Sequence, residues 1–242
     1  MSTRPIAAFF DLDGTLLSTS SAILYVKYLR SRPKGTGGPF DRMPLTALLR
    51  TAWYQVLYNA NRIDIERVAE ESSRPLAGHP ERHMIDLCNE WFERMVARTI
   101  RPEMPAILEG HRRAGHRICI LTASTPYVTV PLASRLGIAD WIASRLEVRD
   151  GVFTGGIERP LCYGPGKIEL AKQWAARHDI DVARSWFYTD SITDLPMCEA
   201  VATPILVSPD RRLRREGTKR GWTILDLDGR SPFTLPEIAV RE

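Results

Sequence analysis

Ile6-Ala7-Ala8-Phe9-Phe10-Asp11-Leu12-Asp13-Gly14-Thr15-Leu16 is an apolar run that stops at two carboxylates, and its reading decides the fold. Bounded by Pro5 and by Asp-x-Asp-Gly, it predicts a buried parallel strand of about five residues. Asp11 and Asp13 then fall just past the strand's carboxyl end. In an open α/β sheet that edge is where ligands bind, because its loops are free of ladder bonds and the following helices aim their amino termini at it. Gly14 permits a sharp turn with exposed amides, and Thr15 is placed to cap the next helix. The string Ile224-Leu225-Asp226-Leu227-Asp228-Gly229 repeats the pattern but leads into Arg230 and Pro232, so it predicts only a final strand and turn.

Working outward, Ile23, Leu24, Val26, Tyr28 and Leu29 give helical spacing over 18–30, broken by a Pro- and Gly-rich loop over 32–39. Leu45, Leu48, Leu49, Ala52, Trp53, Val56, Leu57 and Ala60 form the apolar stripe of an amphipathic helix. Further helices are expected over 64–72 and 80–100, and nothing over 18–101 alternates as a strand does. Beyond Arg101-Pro102 the texture changes. Helices over 104–113, 127–136, 167–177, 193–200 and 211–220 alternate with strands over 116–121, 185–189, 204–207 and 222–225, the pattern of parallel βαβ units. Arg149-Asp150-Gly151 between two short apolar runs signals a hairpin. The expected architecture is α/β: a Rossmann-like open parallel sheet core with three α/β/α layers, built from 1–17 and 102–242, with an inserted all-helical cap domain over 18–101.

The 242 residues suffice for one sizeable α/β core with a smaller insertion. With 33 Lys and Arg against 29 Asp and Glu the net charge is +4, compatible with anionic substrates and too small to argue for nucleic acid. Cys88, Cys119, Cys162 and Cys198 lie far apart, without the spacing of a zinc site or a disulfide framework. No run is long and apolar enough to span a membrane, and Asp11 and Asp13 interrupt the amino terminus too early for a secretory signal. A cytoplasmic location, free thiols and no membrane or nucleic-acid partner are the expectation. Arg211, Arg212, Arg214, Arg215, Lys219 and Arg220 read as a solvated helix face in preference to a binding patch. The Trp53-Tyr54-Tyr58 face reads as packing in preference to a partner surface.

Three further stretches fall at strand ends. Thr122-Ala123-Ser124 follows an apolar strand and offers a hydroxyl and amides suited to phosphate oxygens. Lys167 opens a helix after Tyr163-Gly164-Pro165-Gly166, where the helix dipole gives a cation no help, and that misfit marks a special role. Trp186-Phe187-Tyr188-Thr189 delivers Asp190 and Asp194 to the same edge as Asp11 and Asp13, an oxygen-rich cluster suited to Mg²⁺; Asp194 is also placed to cap the next helix.

Together Asp11-x-Asp13, Thr122, Lys167 and Asp190-x-x-x-Asp194 resemble the four motifs of the haloacid dehalogenase-like superfamily, in order. The helical insertion between the first and second resembles its phosphoserine phosphatase-like branch. The match departs at Thr189 and Thr193, where glycine and asparagine are common in relatives. The resemblance implies a Mg²⁺-dependent phosphomonoester hydrolase with Asp11 as nucleophile and Asp13 as general acid and base. Thr122 and the Ala123 amide would bind phosphate, with Gly14, Thr15 and Ser124 beside them, and Lys167 would neutralise charge. Asp11, the Asp13 carbonyl and Asp190 would hold the metal, with Asp194 in direct or water-mediated support. It further implies a small phosphorylated metabolite as substrate, phosphoserine first and histidinol phosphate second, and a monomer or homodimer. The alternatives are a phosphotransferase or mutase using the same aspartyl-phosphate, and a non-catalytic phosphate-ligand-binding protein.

Overall fold

The computed structural model describes residues 4–32, 65–227, 234 and 236–238. The expected loop beyond Arg32, the amphipathic helix with its Trp53-Tyr54-Tyr58 face, and Asp228-Gly229 lie outside them.

The opening run forms β1 (Ala7–Phe10), and α1 (Ser21–Ser31), α2 (Ile65–Ser73) and α3 (Glu81–Trp91) come from the expected insertion. Next in the chain are α4 (Met104–Arg113), β2 (Arg117–Thr122), α5 (Pro126–Leu136) and β3 (Asp140–Ala143). The hairpin is β4 (Leu146–Arg149) with β5 (Val152–Ile157), and the chain closes through α6 (Pro165–Arg177), β6 (Trp186–Thr189), α7 (Leu195–Ala200), β7 (Thr203–Val207), α8 (Arg211–Arg220) and β8 (Thr223–Leu225). Six strands pair in parallel in the order β3-β2-β1-β6-β7-β8, so β1 is central and its neighbours carry the other strand-end motifs. The expected Rossmann-like α/β architecture is what the chain adopts.

Because strand side chains alternate, β1 feeds two cores. Ala8 and Phe10 join α4, α5 and part of α3 on one face, while Ala7 and Phe9 join α6, α7 and α8 on the other. Phe10 stacks on Tyr188 with centroids 4.3 Å apart, and Phe9 meets Trp174 edge-on at 5.5 Å. Full burial of such a ring contributes about 1.5–3 kcal/mol, which anchors the strand that ends in Asp11.

Two sequence expectations need correction. β3 is an unexpected strand: its Asp140-Trp141-Ile142-Ala143 is half-buried at the sheet edge and lacks both alternation and a fully apolar run. The single helix expected over 80–100 is divided into α3, a widened turn at Phe92–Val96 and a tight turn at Ala97–Thr99. On α8, Arg214 pairs with Asp226, Arg220 with Glu199 and Lys219 with Glu216, so much of the basic run is neutralised by this chain's own carboxylates. Among the described residues no helix is long and apolar enough to cross a membrane.

Candidate active site

At the end of β1 the Asp11 amide donates to the Tyr188 carbonyl of β6 at 2.9 Å, fixing the first carboxylate against the neighbouring strand. The chain then turns back over Leu12–Leu16, with Gly14 at φ +71° and the Leu17 amide donating to the Leu12 carbonyl at 2.9 Å. A left-handed residue is required there, and a Cβ would collide with the Asp190 carboxylate. Glycine is thus doubly fixed at position 14.

Lys167, in the first turn of α6, is 2% exposed. Its Nζ donates to Asp11 Oδ1 at 3.0 Å and to the Asp194 carboxylate at 2.8 Å. The unfavourable position on the helix dipole is offset by two carboxylates. Asp194 makes no capping bond to α7; it accepts instead from Lys167 and from Thr189 Oγ1 at 2.7 Å. Threonine at position 189 therefore orients Asp194.

Asp13 accepts from the Ser21 amide at 2.6 Å, from Ser21 Oγ at 3.0 Å and from Ser124 Oγ at 2.8 Å. Ser124, expected beside phosphate, thus directs its hydroxyl at Asp13. Thr122 Oγ1 accepts the Ser124 amide at 3.1 Å, which shapes the turn after β2. Thr15, also expected on the substrate side, is fully buried beneath the turn. Ala123 stays half-exposed at the mouth of the site.

Four carboxylates crowd one buried lysine, and this sets the electrostatics. Burial pushes Asp11 up to about 7; Lys167 pulls it down, and the charges of Asp194 and Asp13 add to the rise. Burial also raises Asp190 well above the carboxylate range, reinforced by Asp11, Asp194 and Asp13. Asp13 is raised by burial against the bonds from Ser21 and Ser124. Burial would lower Lys167, but Asp11 and Asp194 outweigh it and hold its ammonium well above the usual range.

Such a concentration of carboxylates around one cation fits a hard metal ion. Mg²⁺ takes one or two carboxylates and keeps several waters, and Asp11, Asp190 and the Asp13 carbonyl would supply such a donor set. Among the described residues no three His, Cys, Asp or Glu side chains converge as a metal cluster. A set of two carboxylates and a backbone carbonyl does not require one. Asp194, occupied by Lys167 and Thr189, stands behind this set.

Beside the Ala123 turn a cavity of about 220 Å³ opens between α2 (Val68, Ala69, Ser72), Thr125 and Arg145. Three residues that build the site carry no sequence signal that singles them out. Ser21 is one of several serines after the turn, Thr189 is visible only as a departure from relatives, and Arg101 looks like any basic residue at a boundary. Arg101 donates to the Gly14 carbonyl across 87 positions, a pairing that local sequence does not announce.

Residues 8–199 match the haloacid dehalogenase-like hydrolase family. A Streptomyces azureus protein named for inhibition of morphological differentiation is 36% identical over 224 residues, covering 91% of this chain and 78% of that one. A phosphoserine phosphatase of Mycobacterium tuberculosis is 31% identical over 221 residues, covering 91% and 70% respectively. Among solved structures, a Bordetella pertussis protein of unknown function superposes with a TM-score of 0.80 at 32% identity, covering 93% of this chain and 100% of that one.

Proposed function

The chain belongs to the haloacid dehalogenase-like hydrolase family and is a phosphatase, and from that premise we propose that it hydrolyses a small phosphomonoester through an aspartyl-phosphate formed on Asp11. The observation that carries this reading is the Asp11–Lys167 pair at 3.0 Å, next to Asp13 and Asp190, at the carboxyl edge of the sheet. A carboxylate approaching a phosphate dianion meets repulsion, and Lys167 is the buried cation that offsets it. Mg²⁺, held by Asp11, Asp190 and the Asp13 carbonyl, supplies further charge neutralisation when bound.

The steps fall to named groups. An Asp11 carboxylate oxygen attacks phosphorus while the bond from phosphorus to the ester oxygen breaks, and protonated Asp13 gives its proton to that oxygen. A water then attacks phosphorus, Asp13 takes its proton, and the Asp11–phosphorus bond breaks to release phosphate. Ser21 and Ser124 aim the Asp13 carboxylate throughout. The Ala123 amide and Thr122 face the phosphate oxygens. The cavity flanked by α2 and Arg145 takes the leaving group, and its size suits an amino-alcohol or amino-acid phosphate such as phosphoserine.

The test is phosphate release from a panel of small monoesters, phosphoserine and histidinol phosphate among them, with Mg²⁺ and with chelator. Mg²⁺-dependent release lost in Asp11→Asn, with its circular dichroism unchanged, is expected. Full activity in Asp11→Asn would remove the nucleophile assignment. Phosphate that appears on an added hydroxyl compound instead of in solution would make the chain a phosphotransferase.

A further inference from the structure

Arg101 lies where the chain leaves the helical insertion and re-enters the sheet layer, and it is 8% exposed. Its backbone and side chain both grip the turn after β1. The Arg101 amide donates to the Leu16 carbonyl at 3.0 Å, and Nη2 donates to the Gly14 carbonyl at 3.0 Å. Nη1 donates at 2.7 Å to the carbonyl of Leu227, just beyond β8. Two chain segments that leave the sheet three strands apart are thereby tied by one planar fork.

Nothing about that tie alone demands arginine, since a buried carbonyl pair is met by many donors. Its surroundings do. Burial lowers this guanidinium, and the charges of Glu103 and then Asp190 oppose that fall. Gly14, whose carbonyl it holds, packs directly on Asp190. Lys167 serves the Asp11 and Asp194 side of the acidic cluster, and Arg101 stands on the Asp190 side. Its buried Nε has no hydrogen-bond partner among the described residues.

We propose that Arg101 is a positioning residue, which pins the Gly14 carbonyl so that the Asp13 carbonyl and Asp11 keep their places opposite Asp190 for Mg²⁺. The proposal rests on the Mg²⁺-dependent reading of the site. It assigns Arg101 no contact with the substrate.

Geometry and charge make opposite forecasts. If Arg101 acted only through its charge, removing it would relieve repulsion on a dication and tighten Mg²⁺. If it acts by position, removal loosens the donor set, and outer residues of this kind are worth about 10- to 100-fold in metal affinity or activity. The experiment is calorimetric titration of MgCl₂ into the full chain, wild type, Arg101→Gln and Arg101→Lys, at a pH above 7, with circular dichroism and ester kinetics on each.

Expected is an Arg101→Gln chain that folds, binds Mg²⁺ at least tenfold more weakly and loses kcat, with KM for the ester little changed, while Arg101→Lys recovers part of both. A folded Gln variant that binds Mg²⁺ as tightly as wild type, or tighter, overturns the proposal and leaves Arg101 a packing tie. Should the Gln variant not fold, Arg101→Lys decides alone, because it keeps the charge and loses the fork: weaker Mg²⁺ supports the proposal and unchanged Mg²⁺ overturns it. A wild-type chain that takes up no Mg²⁺ would defeat the metal-dependent reading itself, and this proposal with it.

Discussion

Gly14 is the residue on which the site is most sharply constrained. Its φ of +71° is a conformation that costs other residues about 1 kcal/mol or more, and its missing Cβ is where the Asp190 carboxylate lies. Gly14→Ala is therefore expected to push Asp190 outward, weakening Mg²⁺ and lowering kcat tenfold or more, with a modest fall in melting temperature. Kinetics at saturating and limiting Mg²⁺ check this; unchanged Mg²⁺ dependence would mean that Asp190 does not serve the metal. The same crowding predicts a pH effect. Asp11 is raised to about 7 and Asp190 is raised as well, so below neutrality the metal-free site holds protons that a metal must displace. Mg²⁺ affinity should climb as pH rises through about 7, the Asp11 value, and binding at pH 6 should release protons. Calorimetry in buffers of different ionisation heat measures that release. The carboxylates and Lys167 were legible in the sequence because each follows an apolar strand or a glycine turn. Ser124 and Arg101 act on partners fixed by the tertiary fold, with Ser124 and Asp13 lying 111 positions apart, and no local pattern encodes such a pairing.

At the scale of elements, α4 and β6 are joined by a polar cluster inside an apolar layer. His111 is fully buried, with Nδ1 2.8 Å from His116 Nδ1 and Nε2 2.8 Å from the Tyr188 hydroxyl. Burial holds His111 down to about 3, with His116 adding to the effect, and His116 is itself lowered by burial. The unfolded chain takes up these protons near pH 6.5 while the folded chain refuses them, so the stabilisation is complete above that value. It erodes as pH falls from 6.5 toward 3. His111→Gln keeps hydrogen bonding and removes one titration, so its denaturation midpoint should fall less steeply with acidification than that of the wild type. Equal slopes would show that His111 does not titrate on unfolding. The elements themselves were largely legible where periodicity was strong, as in α4 with Met104, Ile107 and Leu108 buried. β3 was not, because an edge strand held to the sheet on one side only needs little apolar sequence. Strand order was also beyond the sequence, since only the pairing of β1 with both β2 and β6 brings the four motifs to one edge.

For the whole molecule, the question is how the helices of 18–101 are joined to the sheet layer, and α2 and α3 are joined in different ways. α3 buries Met84, Leu87, Cys88 and Trp91 in the same apolar cluster as Phe10, Ile107 and Leu132, so its contacts are those of the sheet layer itself. α2 buries only Ser73 among its described side chains. It is held by Ser73 Oγ donating to the Gly155 carbonyl at 2.7 Å and by exposed pairs of Arg159 with Glu66 and Glu70, contacts that contribute little in water. The hairpin secures the segment between the two helices through the Gly78 amide on the Phe153 carbonyl at 2.9 Å and the Phe153 amide on the His79 carbonyl at 3.0 Å. Hydrogen exchange should accordingly show α2 opening well below the global unfolding free energy and α3 only with it. Gly155 sits at φ +84° against Ala77 and Arg74, so Gly155→Val should separate the hairpin from this segment. Because α2 walls the cavity beside Ala123 and touches none of the carboxylates described, that variant should lose protection in α2, raise KM for the ester and leave Mg²⁺ affinity as it was. Equal protection of α2 and α3 in the wild type would mean that the two helices are held to the sheet layer as one piece, and that this cavity wall cannot move independently of the carboxylates.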